Sequence, residues 1–397
     1  MKNKMTKKKV LFLIHTLGGG GAEKVLVNLV NNLDRKKYDI TVMTVIDTGI
    51  YKSALKSDIK YKTIFKLPPT NKKKKNVQIS GSLLNGSSKK KWLINLYTKF
   101  WQKAPLRLIH KLFIGNGYDI EIAFLEGISA KIIANSSNSS AKKYAWIHVD
   151  LLQQHKSKNV FSNFSDEQDT YNKFDKIICV SDIVKNSFVK LFKDIDQSKV
   201  IVKHNIIDRN EIIEKSKSRS DLIKKKFTIC SIGRLNKQKN YLRLAKCAYL
   251  LHKKDNLEFD VWIVGEGTQR NIIEQFIKDH NMENYFHLLG FEKNPYPVLR
   301  KADMFACSSN AEGYSTSVVE ALILGLPVVT TNCAGMEEIF SNTQCGIITK
   351  QSTSALYSGL KKVLVNPDLY AILKNNAIQR GKAFQLENNI KEIQKIL

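Results

Sequence analysis

Short apolar runs alternate with amphipathic helical patterns along the whole chain, and this alternation limits its fold more than any other feature. Most of the runs are continuous and rich in β-branched residues, which is typical of parallel strands buried on both faces of a sheet. They predict strands at Lys9–Ile14, Asp39–Val45, Ile59–Phe65, Asp119–Phe124, Lys143–His148, Lys176–Val180, Val200–Lys203, Phe227–Ile232, Phe259–Val264, Tyr285–Leu289, Met304–Cys307, Pro327–Thr330 and Gly346–Ile348. The alternation therefore predicts an α/β fold with doubly wound parallel sheets.

The length of the chain allows two such domains. Its 397 residues can form two separate cores. Polar residues dominate positions 204–226, between the two series of strands. We therefore predict a first domain at residues 1–205, a second at 206–375 and a terminal helix at 376–397. Because ligands of doubly wound sheets bind at the carboxyl ends of the strands, the active site is expected in the cleft between the domains.

The start of the chain resembles a secretory signal only in part. A charged segment, MKNKMTKKK, precedes an apolar one, but Gly18–Gly21 and a helical pattern follow instead of a cleavage site. We interpret this order as the strand, glycine turn and first helix of a nucleotide-binding unit. No apolar run has the length of a transmembrane helix. The six cysteines show no metal or redox spacing, so we expect a reducing cytoplasmic compartment.

Positive charge is concentrated in one part of the chain. The formal net charge is +28, and the segment between Ile59 and Tyr118 contains no Asp or Glu. Residues 68–104 are predicted to form a basic insertion, which includes the run Lys72, Lys73, Lys74 and Lys75. A concentrated basic block of this kind indicates an anionic partner.

Aromatic residues within the basic block recur at helical spacing. Trp92 and Trp101 lie on the apolar edge of a helix flanked by lysines. Such a helix can lie in the headgroup layer of an anionic membrane, so we predict membrane contact through residues 68–112. Alternatively, the apolar stripe packs on the first domain and the lysines are only solvated. Nucleic acid is a weaker alternative, because no helix-turn-helix or RNA-binding signature is present.

The segment EGYSTSVVEALILGLPVV carries the most specific chemistry. Glu312 ends a loop after a strand, and Glu320 lies in a helix predicted at Ser315–Leu324. Two carboxylates at this spacing can bind the hydroxyls of a polyol, and the free N–H groups of the helix N-terminus can bind a phosphate. The pattern favours a nucleotide sugar as ligand. The alternative is that both glutamates are ordinary solvated residues.

Several loops at strand ends contain further candidates. In SIGRLNKQKN, Arg234 and Lys239 can hold a diphosphate. Gly265 lets a ligand approach the backbone closely, although no G-x-G-x-x-G fingerprint is complete. His148 and Glu126 end strands of the first domain and can bind a sugar hydroxyl, or else serve structure only. No cluster has metal-ligand spacing, so we predict that neither a metal nor another cofactor is required.

These motifs, in this order, resemble family 4 glycosyltransferases, and the resemblance covers nearly the whole chain. It implies the GT-B fold, in which two Rossmann-like doubly wound domains face each other across a cleft, and a retaining reaction. It also implies that the last helix crosses back to the first domain.

The resemblance further implies a role for each motif. Glu320 would bind the ribose hydroxyls of the donor, and Glu312 would lie beside the donor sugar. Arg234 and Lys239 would bind the diphosphate, and His148 would lie near the reaction centre. The remaining donor contacts would come from Gly19, Gly20, Gly290, Phe291, Gly313, Tyr314, Ser315, Thr316 and Ser317.

The sequence thus predicts a peripheral enzyme at the inner face of the cytoplasmic membrane. It would transfer a sugar from a nucleoside diphosphate donor, with UDP favoured, to a hydroxyl of a lipid-linked or polymeric glycan. One alternative is an epimerase or hydrolase of sugar nucleotides with the same fold. Another is a noncatalytic basic protein that binds membranes or nucleic acid.

Overall fold

The computed structural model describes residues 6–66 and 88–397, with side chains for all of these except residues 88–94. The chain forms two compact units. Unit 1 contains the chain up to Ile206 together with Glu387–Leu397, and unit 2 contains Ile207–Leu386. The predictions for Lys72, Lys73, Lys74, Lys75 and the side chain of Trp92 lie outside the described residues.

Unit 1 is built around a seven-stranded parallel sheet with the order β3-β2-β1-β4-β5-β6-β7. Its strands are β1 (Lys8–Ile14), β2 (Tyr38–Ile46), β3 (Lys60–Phe65), β4 (Ile120–Ala123), β5 (Lys142–Ile147), β6 (Lys176–Cys179) and β7 (Val200–Val202). Its helices include α1 (Gly21–Asn32), α2 (Ser88–Lys103), α3 (Leu106–Ile109), α4 (Ile128–Ala134), α5 (Phe164–Asn172) and α6 (Asp182–Leu191). A π-helical turn, His110–Ile114, follows α3 directly.

Unit 2 is built around a six-stranded parallel sheet with the order β10-β9-β8-β11-β12-β13. Its strands are β8 (Thr228–Ile232), β9 (Asp260–Val264), β10 (Phe286–Gly290), β11 (Met304–Cys307), β12 (Val328–Thr331) and β13 (Gly346–Thr349). Its helices are α7 (Arg209–Ser216), α8 (Tyr241–Lys253), α9 (Arg270–Asp279), α10 (Tyr296–Lys301), α11 (Thr316–Ile323), α12 (Met336–Phe340), α13 (Thr353–Leu364) and α14 (Pro367–Lys382).

Both sheets confirm the predicted fold class. Every apolar run singled out in the sequence is a strand, and all strand pairs are parallel. The strands are apolar throughout because helices cover both faces of each sheet. In β1, for example, Val10–Ile14 are fully buried. Two parallel doubly wound sheets agree with the fold that the resemblance implied.

The C-terminal segment differs from the single helix predicted at residues 376–397. The chain forms α14 and then a separate helix, α15 (Leu386–Gln394). The last turn of α14 tightens, since the N–H of Ala383 bonds to the carbonyl of Arg380, and the Phe384 ring leaves the helix to pack under the Arg380 guanidinium. The segment after this break belongs to unit 1, where the Tyr144 hydroxyl donates to the Ile396 carbonyl over 2.9 Å.

The structure corrects the prediction for Trp101. The sequence placed this residue on the edge of a helix that enters a headgroup layer, but its side chain is only 1% exposed. Its ring packs against Phe65, Tyr97 and Phe100. A large aromatic side chain that finds such neighbours stays in the core, because burial of its surface stabilises the fold. No helix of the described residues is both long and apolar enough to span a membrane.

Candidate active site

The candidate site of unit 2 lies where its strand order reverses. Strands β8 and β11 are neighbours, and from them the order runs outward in opposite directions. The loops that follow these two strands therefore diverge, and a crevice opens at the carboxyl edge of the sheet. Lys239 lies on the loop after β8 and Glu312 on the loop after β11. The topology thus places these two predicted site residues together.

An ion pair connects the two loops. Lys239 Nζ lies 2.7 Å from Glu312 Oε1, and the Ser309 hydroxyl donates to the same oxygen over 2.6 Å. Burial is the largest single influence on Lys239 and disfavours its charge, but the Glu312 carboxylate, with smaller contributions from Cys307 and Tyr241, raises the pKa of Lys239 overall. Lys239 therefore carries a full positive charge at neutral pH. Both of these contacts are made to Oε1 of Glu312.

Backbone and side-chain hydrogen bonds hold the two loops in register. Asn310 N donates to the Gln238 carbonyl over 2.7 Å, and the Ser308 hydroxyl donates to the Lys239 carbonyl over 2.9 Å. Arg243, on α8, donates to the carbonyl of Ser308 and to the side chain of Asn310. These contacts fix the backbone on both sides of the ion pair, so the site is formed before any ligand binds.

Glu320 is buried on α11, with 4% of its surface exposed, and Glu312 is 8% exposed. The alternative that both glutamates are solvated is therefore wrong. The Tyr296 hydroxyl contacts Glu320 Oε1 at 3.4 Å. A buried carboxylate is costly unless it is hydrogen-bonded, so this contact helps to hold Glu320 in place.

The N-terminus of α11 is available to an anion. Ser315 occupies the N-cap position without a side-chain hydrogen bond to the helix, and its hydroxyl instead contacts that of Ser317 at 3.3 Å. By contrast, Asn240 caps α8 with its side chain. The first N–H groups of α11, at Thr316 and beyond, can thus donate to a phosphate. Gly313 and Tyr314 are buried in the loop that leads to this helix.

Three glycines form a continuous ridge at the ends of β8, β9 and β10. Gly233, Gly265 and Gly290 all have positive φ. The N–H of Gly233 bonds to the carbonyl of Val264, and that of Gly265 bonds to the carbonyl of Gly290 over 2.7 Å. A Cβ on Gly265 would lie 2.0 Å from the carbonyl oxygen of Gly233. Only glycine fits at position 265.

Two predicted donor residues do not join this cluster of contacts. Arg234 is exposed and forms no ion pair with any residue that the structure describes. Its guanidinium is therefore available to a ligand but is not fixed by the protein. Phe291 is half-buried after the Gly290 turn.

Unit 1 has its own point of reversal, between β1 and β4. Gly19 and Gly20 follow β1, and Glu126 follows β4. Glu126 Oε2 accepts a hydrogen bond from the backbone N–H of His148, which follows the next strand, at 3.2 Å. The sheet thus brings together Glu126 and His148, as the topology of the predicted strands requires.

Glu126 and His148 both have perturbed pKa values. Burial raises the pKa of Glu126 to about 7, and burial lowers the pKa of His148 to about 3. His148 is therefore neutral at physiological pH, and its buried Nε2 atom has no hydrogen-bond partner among the described residues. Perturbed pKa values of this kind, next to a buried imidazole nitrogen without a described partner, mark Glu126 and His148 as candidates for a functional site.

Sequence reasoning missed three residues of the unit 2 site. Ser309 and Tyr296 contact the two key glutamates, and Arg243 secures the loop before Glu312. Ser309 precedes Glu312 by three positions, a spacing that could have suggested contact within one loop turn. Tyr296 is distant from Glu320 in sequence, and only the packing of α10 reveals it.

Comparisons with known proteins identify similar sequences and a similar fold. Residues 212–380 match the family model described as glycosyl transferases group 1. Over 387 residues the chain is 28% identical to an N-acetylgalactosamine-N,N'-diacetylbacillosaminyl-diphospho-undecaprenol 4-alpha-N-acetylgalactosaminyltransferase of Campylobacter jejuni, and the match covers 95% of each chain. The family match is confined to residues 212–380, and together with this relative it identifies the chain as a glycosyltransferase.

Further relatives of this glycosyltransferase have related names and folds. It is 26% identical to a UDP-Gal:alpha-D-GlcNAc-diphosphoundecaprenol alpha-1,3-galactosyltransferase of Escherichia coli, over 56% of each chain. Its structure resembles that of HepE from Anabaena in complex with UDP, with a TM-score of 0.72, 20% identity and coverage of 98% and 99% of the two chains. The structural likeness shows the shared fold.

Proposed function

We propose that unit 2 of this glycosyltransferase binds a UDP-sugar. The ion pair between Lys239 and Glu312, at the point where the strand order reverses, is the observation that carries the proposal. The pair places one cation and one carboxylate side by side, as a ligand with a diphosphate next to a polyol requires. The HepE structure, which is a complex with UDP, supports uridine as the nucleoside.

Each feature of the site has a matching part of the donor. Lys239 and the N-terminus of α11 bind the diphosphate, and the exposed Arg234 can close over it. Glu312 accepts a hydrogen bond from a sugar hydroxyl, and Glu320 accepts from the ribose hydroxyls. The glycine ridge of Gly265 and Gly290 offers backbone groups to the flat base.

The reaction breaks the bond between the anomeric carbon and a diphosphate oxygen and forms a bond from that carbon to an acceptor oxygen. The acceptor hydroxyl loses its proton, and the diphosphate leaves with an additional negative charge. Lys239 and the helix N-terminus stabilise this charge as it develops. We propose that these groups suffice without a divalent metal ion, and that the anomeric configuration is retained.

The acceptor is proposed to be a lipid-linked glycan. Both named relatives act, by their names, on sugars carried by diphospho-undecaprenol. An acceptor with such a lipid stays in a bilayer, so the enzyme works at its surface. We propose a peripheral location at the inner face of the cytoplasmic membrane.

A thermal-shift assay with purified protein tests the donor site. UDP-sugars are expected to raise the melting temperature by mass action, whereas Lys239→Ala and Glu320→Ala reduce the shift at equal ligand concentration. Lys237→Ala is the matched control, because this lysine is exposed on the same loop and only its carbonyl is used in the site. Absence of a shift with every UDP-sugar in the wild type would overturn the proposal.

The reaction itself needs a second experiment. Proton NMR of the product of one transfer is expected to show the anomeric configuration of the donor, with unchanged turnover after treatment with EDTA. Inversion contradicts the proposed retention, and loss of turnover in EDTA contradicts metal independence. Rapid consumption of donor without any acceptor would instead indicate a hydrolase or an epimerase.

A further inference from the structure

A cluster of exposed apolar side chains lies on unit 1. Fifteen large apolar side chains are exposed in the described residues, and six of them fall between positions 65 and 113. We call these six residues the apolar platform: Phe65, Leu96, Phe100, Leu108, Leu112 and Phe113. Leu112 is 68% exposed and Leu108 is 52% exposed. An apolar cluster of this kind on a protein surface usually marks an interaction site.

Aromatic contacts show that much of the platform is continuous. The Phe100 ring contacts Trp101 with 5.2 Å between centroids, and Trp101 contacts Phe65 at 6.2 Å. Phe65 in turn contacts Phe113 at 6.0 Å. The buried Trp101 therefore connects the exposed side of α2 to the π-helical turn, and Leu112 adjoins Phe113 in sequence.

Four cations accompany the apolar platform. Lys99 and Lys103 lie one turn apart on α2, and Arg107 and Lys111 have the same spacing on the following segment. All four are exposed, and among the described residues none of them pairs with a carboxylate. The sequence contains no acidic residue from Ile59 to Tyr118, so nothing on this segment offsets the charge.

A pocket with basic side chains lies beside Ile114, which follows Phe113 of the platform in sequence. Its volume is about 210 Å³, and its lining includes Lys9, Lys60 and Lys62 next to Ile114, at the end of the π-helical turn. Asp39 pairs with Lys60 there, which leaves the pocket with a net positive lining. An anionic lipid headgroup can therefore contact the lysines of this pocket as well.

The platform is firmly attached to unit 1. The buried Lys131 ammonium donates to the carbonyls of Trp101 and Val160 over 3.2 and 3.0 Å, so it holds the end of α2. The imidazole of His110 lies 3.0 Å from the buried carboxylate of Glu121, which holds the π-helical turn. The exposed side chains are thus presented on a fixed surface, and little ordering entropy is lost on binding.

We propose that the apolar platform and its four cations form a preformed docking surface for an anionic lipid bilayer. Leu108, Leu112 and Phe113 enter the boundary between headgroups and acyl chains, while the cations contact lipid phosphates. A protein partner would need acidic side chains opposite these cations, whereas a bilayer supplies both chemistries at once. Only the role of the docking surface rests on the proposed function: docking would keep the enzyme beside a lipid-linked acceptor.

Vesicle co-sedimentation of the full chain tests the docking surface. Wild-type protein is expected to sediment with vesicles of phosphatidylcholine and phosphatidylglycerol, and much less with phosphatidylcholine alone. The double variant Leu112→Ser and Phe113→Ser should lose at least about tenfold in partitioning, because two apolar side chains no longer enter the bilayer. The double variant Lys103→Gln and Lys111→Gln should bind the vesicles more weakly than the wild type, and its binding should depend less on the salt concentration.

The matched control is Ile223→Ser with Ile372→Ser, two exposed apolar side chains on unit 2. This variant should sediment like the wild type. The thermal shift with UDP, measured on every variant, should be unchanged, so a failure of docking is distinct from a failure of donor binding. Equal sedimentation of the wild type and the platform variant would overturn the proposal. The proposal would also be overturned if the wild type did not bind vesicles but formed a dimer that the platform substitutions dissociate.

Discussion

Lys239 and Glu312 are 73 positions apart in the chain, yet their side chains form an ion pair of 2.7 Å at the carboxyl edge of the unit 2 sheet. The pair can form because β8 and β11 are adjacent strands, so the loops that follow them begin side by side at the same edge of the sheet. It has two consequences. It keeps Lys239 charged, as the proposed binding of the donor diphosphate requires, and it gives the buried Glu312 carboxylate a partner besides the Ser309 hydroxyl.

The first prediction concerns stability. Lys239→Ala leaves the Glu312 carboxylate buried with only Ser309 as partner, which should cost about 2–3 kcal/mol. The added substitution Glu312→Gln removes the uncompensated charge. The double variant should therefore melt at a higher temperature than Lys239→Ala alone, as measured by calorimetry. Additive losses from the two substitutions would show that the ion pair does not couple these residues.

The second prediction assigns the ligand group that Glu320 binds. The wild type should bind UDP more tightly than 2′,3′-dideoxy-UDP, by about 1.5–3 kcal/mol, if the buried carboxylate accepts hydrogen bonds from the ribose hydroxyls as proposed. In Glu320→Ala the two ligands should bind almost equally, as measured by isothermal titration calorimetry. If the variant still discriminates between them as the wild type does, another residue binds the ribose.

The third prediction tests the glycine ridge. Gly265→Ala places a methyl group 2.0 Å from the Gly233 carbonyl at a backbone φ of +149°. The substitution should cost about 3 kcal/mol or more and lower the melting temperature of unit 2. Gly117→Ala is the control, because its Cβ would meet nothing within 4 Å. A fully stable Gly265→Ala variant would contradict the described packing of these strand ends.

The fourth prediction concerns pH. The Glu126 carboxyl titrates near 4.5 when unperturbed and near 7 in the folded protein, because burial favours the protonated form. The stability that depends on a protonated Glu126 carboxyl is fully present below pH 4.5, and it is lost as the pH rises through the folded-state pKa of about 7. Glu126→Gln mimics the protonated form, so its melting temperature relative to the wild type should rise between these pH values.

Glu214→Gln serves as the control for the pH series, since the Glu214 side chain is 74% exposed. Its melting temperature should follow that of the wild type at every pH. A constant difference between Glu126→Gln and the wild type across the range would mean that the Glu126 pKa is not raised by folding.

Much of the fold could be predicted because buried parallel strands appear in the sequence as continuous apolar runs. Runs such as Val10–Ile14 are apolar throughout, as both faces of a parallel sheet are covered. The two-glutamate segment was also informative, since Gly325 ends α11 close to the predicted position. The order of neighbouring strands is not encoded in any such local pattern.

Contacts between distant segments account for what sequence reasoning missed. The hydroxyl of Tyr296 reaches Glu320 only through the packing of α10. The burial of Trp101, on α2, depends on Phe65, which lies at the end of β3. Helical spacing indicated that one face of α2 is apolar, but it could not tell which aromatic side chain packs inward and which remains exposed.

Titration of UDP and UMP into the wild type, Lys239→Ala and Lys237→Ala tests the central claim most directly. If Lys239 holds the diphosphate, Lys239→Ala should lose about tenfold or more in affinity for UDP, while its affinity for UMP changes little. Lys237→Ala should match the wild type for both nucleotides. Equal affinity of the wild type and Lys239→Ala for UDP, or a wild type that binds neither nucleotide, would contradict the account.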